Sequence, residues 1–74
     1  MLSINKDQKR NKIMENNVIK YFQQMGGEFE RCMPDVEKFI DGNNSAGTRV
    51  RKAMQKIKHL AQGVRVEIQK QKNA

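Results

Sequence analysis

The sequence predicts an all-α protein: an antiparallel hairpin of two long helices that dimerises into a four-helix bundle. Three observations carry that expectation. Apolar residues recur at the helical period in both halves of the chain. A short polar stretch, Gly42-Asn43-Asn44-Ser45, separates the halves, and so brief a connection turns the second helix back along the first. Each half carries one apolar stripe, and pairing two stripes alone leaves part of each in water. A second hairpin packed face to face covers both, and a higher oligomer meets the same need.

The first helix is expected from about residue 11 to residue 41. Met14, Val18, Tyr21, Phe22, Met25, Phe29, Cys32, Val36, Phe39 and Ile40 share one stripe at roughly 100° per residue. The phase survives both Gly26-Gly27 and Pro34, whereas an intervening loop would scramble it. A continuous, bent helix with Pro34 on its solvent side follows, and Gly26-Gly27 should be its softest point. The alternative sets Pro34 in the first turn of a new short helix ending near Asp41. Gly42 suits a left-handed stop, and Asn44 or Ser45 can cap the next helix.

The second helix is expected over about residues 45–72. Ala46, Val50, Ala53, Met54, Ile57, Leu60, Ala61, Val64 and Ile68 fall on one stripe, with Val66 off it. Gly63 within the run costs about 1 kcal/mol relative to Ala. The seam of hairpin and oligomer should therefore hold Val18, Phe22, Met25, Phe29 and Val36 opposite Val50, Ile57, Leu60 and Val64. Residues 1–10 are expected to form a flexible basic tail and residues 11–74 a single domain, with the last residues after Gln69 polar and frayed.

Charge is unevenly placed along the 74 residues, whose formal net charge is +7. Residues 13–44 carry three basic and six acidic side chains, while residues 45–74 carry eight basic ones against Glu67 alone. That asymmetry favours a polyanionic partner over general solubility charge. Other classes find little support. One histidine (His59) and one cysteine (Cys32) make no metal cluster, no phosphate-loop glycine pattern is present, and no catalytic constellation can be assembled. No enzyme activity, cofactor, metal or small-molecule substrate is expected. Cys32 reads as a buried small hydrophobe in a reducing compartment. No apolar run is long enough to span a membrane, and the first residues lack the apolar core of a signal peptide.

The densest constellation opens the second helix. Ser45, Thr48, Arg49, Arg51 and Lys52, continued by Lys56 and Lys58, place hydroxyls and cations where unpaired backbone N–H groups already favour an anion. Such groups suit phosphate oxygens of a duplex rather than base edges. Gly47 leaves room for close backbone approach; alternatively, Ala46 and Gly47 are small because two helices cross there. Lys6, Lys9, Arg10 and Lys12 offer secondary DNA contacts. The second helix has no aromatic residue, so stacking on single-stranded bases has no platform.

Residues Gly42 to Gln69 resemble the bacterial linker-histone-like nucleoid proteins, of which the small chlamydial histone-like protein is the best-known type. Gly42, Asn43, Ala46, Gly47, Thr48, Arg49, Arg51 and Lys52 match that family's recurring segment. Asn44 stands where the family usually has Lys, and the Ala/Lys-rich C-terminal tail of longer members is missing. The resemblance implies a cytoplasmic, nucleoid-associated protein that binds double-stranded DNA without strong sequence preference and compacts, bends or bridges it. Missing that tail, the chain should condense DNA less strongly. Two other readings of the residues stay open: a helical protein–protein interaction module without nucleic acid, and an RNA-binding chaperone.

Overall fold

The computed structural model describes residues 13–73. Two helices, α1 (Asn17–Ile40) and α2 (Asn44–Asn73), pack against each other, and there is no strand among the described residues. The expected all-α pairing of two long helices is present. The basic tail and the expected start of the first helix lie outside the described residues.

The first helix begins later than its apolar phase suggested. A helical turn at residues 13–15 ends at Asn16, whose backbone is extended (φ −67°, ψ 135°). The Asn16 carboxamide accepts the Val18 N–H at 2.9 Å, the local bond by which Asn starts a helix rather than continues one. From there α1 runs unbroken through Gly26-Gly27 and Pro34, so no new helix starts at the proline. Pro34 and Glu30, whose carbonyl loses its usual donor to the proline, are both exposed residues.

The hairpin turn is closed by backbone bonds. The Gly42 N–H donates to the Phe39 carbonyl and the Asn43 N–H to the Lys38 carbonyl, both at 2.9 Å. These are the paired bonds of a Schellman stop, and Gly42 supplies the required positive φ of 106°. The cap of α2 is Asn43, whose side-chain oxygen accepts the Ala46 N–H at 3.1 Å. Neither Asn44 nor Ser45 takes that role, because the Schellman stop leaves the chain ready to turn helical one residue earlier. The far end is also firmer than expected. Rather than fraying after Gln69, α2 extends to Asn73, and Gln71 exchanges two amide hydrogen bonds with Asn16, at 2.9 and 3.0 Å.

Between the helices the contacts follow a seven-residue repeat. Val18, Tyr21, Met25, Glu28, Cys32 and Asp35 of α1 are buried or half-buried, alternating three and four residues apart. Ala46, Val50, Ala53, Ile57, Leu60, Val64 and Glu67 of α2 do the same, the pattern of an antiparallel coiled coil. Two glycines admit aromatic rings: a Cβ at Gly63 would sit 2.8 Å from the Tyr21 ring, and one at Gly47 2.6 Å from Phe39.

This seam is narrow. Among the described residues only Cys32, Ala46, Ile57 and Val64 are buried, and the hairpin is 12 Å through its thinnest direction, about one helix diameter. A single layer has no interior. Phe22 and Phe29, expected in the seam of hairpin and oligomer, lie outside the hairpin seam at 56% and 49% exposed, and Met33, Ile40 and Met54 are exposed beside them.

Candidate nucleic-acid interface

Helical phase divides the basic residues of α2 between two flanks. At roughly 100° per residue, Ser45, Arg49, Lys52, Lys56, His59 and Lys70 fall on one flank. Arg51, Lys58, Arg65 and Lys72, each seven residues from the next, fall on the other. The expected cluster of Arg49, Arg51 and Lys52 is thus not one patch, since Arg49 and Arg51 point about 160° apart.

The first flank borders α1. A groove lined by Tyr21, Gln24, Glu28, Arg31, Lys56, His59 and Leu60 runs along that face of the hairpin. Lys20 and Lys38 of α1 share the face by phase, and both are exposed. Two ion pairs cross it or lie on it. Arg49 Nε donates to Asp35 Oδ1 at 3.0 Å, joining the helices, and Arg31 donates to Glu28 at 2.6 Å. The Arg31 hydrogen bond holds Glu28 below the ordinary carboxylate value of 4.5, against slight desolvation, and the charges of Arg31 and Lys56 act in the same direction. Lys20, Lys38, Lys52, Lys56 and Lys70 enter no ion pair among the described residues, so their charges remain available to an anion.

At the entrance of α2, Ser45 and Thr48 are exposed. Asn43 already occupies the Ala46 N–H, which leaves fewer open donors there than the bare helix start would offer. The small residues have a packing reason: Ala46 is fully buried and Gly47 lies under Phe39. Both residues are small where the two helices meet, as the helix-crossing reading expects. The roles of Asp35, Tyr21 and Gly63 lay outside sequence reasoning, because each depends on which residue the partner helix sets opposite. Cys32 is buried as expected, its thiol donating to the Phe29 carbonyl at 3.5 Å. Lys6, Lys9, Arg10 and Lys12 lie outside the described residues. No group of metal-ligating side chains occurs among the described residues, and no helix there is long and apolar enough to cross a membrane.

Neither a curated protein nor a solved structure matches the chain. The family model of histone H1-like protein Hc1 does, over residues 19–74. That span takes in nearly all of α1, the Gly42 turn and all of α2, and so reaches well beyond the Gly42–Gln69 segment that carried the resemblance. On that match, the chain belongs to the histone H1-like protein Hc1 family.

Proposed function

We propose that the chain is an architectural DNA-binding protein that holds the phosphate backbone without strong sequence preference. Membership of a histone H1-like family supports the class of partner. The observation that carries the mechanism is the set of unpaired lysines on the groove-side face: Lys52, Lys56 and Lys70 of α2 with Lys20 and Lys38 of α1. Point charges on long stems meet phosphates at many angles and read no base edges. Arg49, with Ser45 and Thr48 at the head of the same face, adds donors once a phosphate competes with Asp35. A homodimer built on the exposed apolar face presents two such lysine faces, one on each side, and bridges two duplex segments.

Lys20, Lys52 and Lys56 replaced together by Ala should weaken binding to random duplexes. The log–log salt slope should become shallower by about 2.7, since each phosphate contact contributes about 0.9. Circular dichroism confirms that the helices persist. Unchanged affinity and slope in the folded variant would place the phosphate contacts elsewhere. Tighter binding to duplex RNA of matched length at every salt concentration would favour RNA as the partner.

A further inference from the structure

The exposed apolar residues and the second basic flank lie on the same side of the hairpin. Phe22, Phe29, Met33 and Ile40 of α1 are 49–75% exposed, and Met54 of α2 is 40% exposed. By phase, all face away from the Tyr21–His59 groove. Along the rims of this apolar face run two seven-residue series of opposite character. Gln23, Glu30 and Glu37 edge α1, and Arg51, Lys58 and Arg65 edge α2; all are exposed. None of these charges has an ion-pair partner among the described residues, where both ion pairs belong to the opposite face.

We infer that two copies pair through these faces about a two-fold axis parallel to the helices. Each α1 then lies on α2 of the second copy, with Glu30 opposite Lys58 and Glu37 opposite Arg51. This rests on the self-association proposed above and specifies its geometry. The hairpin itself sets the register. Asp35 meets Arg49, Asn17 meets Glu67 and Tyr21 meets Gly63, and the two numbers in each pair share one sum. A rotation about an axis along the helices leaves every residue at its own height, so the second copy's α2 repeats that register. Glu30 and Lys58, like Glu37 and Arg51, then stand about one helical turn apart in height. Side chains lean toward the N-terminus of their own helix, which brings these two pairs together. The other face-to-face two-fold, perpendicular to the helices, sets α2 on α2 and opposes the basic series to itself, an arrangement of like charges that costs stability. In the inferred pairing the groove-side lysines face outward on both copies.

Charge exchange separates the two geometries. E30K/E37K and R51E/K58E each turn attraction into repulsion on both rims, so each homodimer should dissociate at least about tenfold more readily at low salt. The quadruple exchange E30K/E37K/R51E/K58E restores opposite charges and should recover wild-type association in sedimentation equilibrium. Both double variants associating like wild type would overturn the inferred pairing while leaving a dimer in place. A wild-type chain that stays a folded monomer at all concentrations would sink the dimer as well. A quadruple variant as weak as the doubles, with helicity intact at high concentration, would also reject the rim assignment.

Discussion

Tyr21 and Gly63 show how one contact can reverse the usual effect of a glycine. In an exposed helix, Gly→Ala is favourable by up to about 1 kcal/mol. At Gly63 the new Cβ would meet the Tyr21 ring at 2.8 Å, and moving a half-buried ring that also borders the groove costs more than the propensity gain. Gly63→Ala should therefore lower stability by about 1 kcal/mol. In a Tyr21→Ala background the same change should raise it, and thermal melts of the four proteins give the coupling directly. Glu28 carries the pH dependence visible at this scale. Its carboxyl titrates below 4.5 in the folded chain, so the stabilisation from its ionised form is complete above the unfolded value. It is lost as pH falls through the lower, folded value. Glu28→Gln should flatten the acid limb of a helicity–pH profile below about pH 4.5 and leave the neutral region nearly unchanged.

The helices themselves were legible, and the reason is phase. One stripe carried through Pro34 favoured an unbroken helix over a new one starting there, because a proline costs a hydrogen bond but keeps the helical phase. Their ends were less legible. Asn16 lies between two turns that share a stripe, so periodicity does not register its capping bond. Asn43, Asn44 and Ser45 are all good caps by residue type, and only the closure of the Schellman stop chooses among them. That closure depends on Gly42, where φ is 106°. Gly42→Ala should destabilise the hairpin by about 1–2 kcal/mol. Gly26→Ala, where a Cβ meets nothing within 4 Å, should stabilise it by up to about 1 kcal/mol. Denaturant midpoints compare the two, and a Gly42→Ala chain as stable as wild type would contradict the turn described.

For the whole molecule the decisive quantity is thickness. A layer 12 Å deep with four buried side chains among the described residues buries little apolar surface against the ordering of two long helices, and the proposed dimer would add to that burial. Helicity should consequently fall on dilution from high to low micromolar concentration, with the melting temperature following the logarithm of concentration. A melt independent of concentration would mean that the lone hairpin is sufficient. The basic site was only partly legible at this level. Residue types placed Arg49, Arg51 and Lys52 together because they are adjacent in sequence. Their opposite flanks follow from helical phase alone; Asp35 and the groove add which flank borders α1. The same information separates cations facing outward from those edging the apolar face.

The antiparallel register of the hairpin also implies an order of assembly. Closing the Gly42 turn brings the first opposed residues together at the smallest loop entropy, and each later pair is held close by the one before it. Contacts should then accumulate from the turn outward, through Asp35–Arg49 and Tyr21–Gly63, to the Asn16–Gln71 amide clasp at the open end. The clasp should then be the last link to form and the first to part. Slow amide exchange should grade along both helices, longest-lived near the turn and fastest at the clasp, so that transient opening exposes one end of the hairpin while the other stays joined.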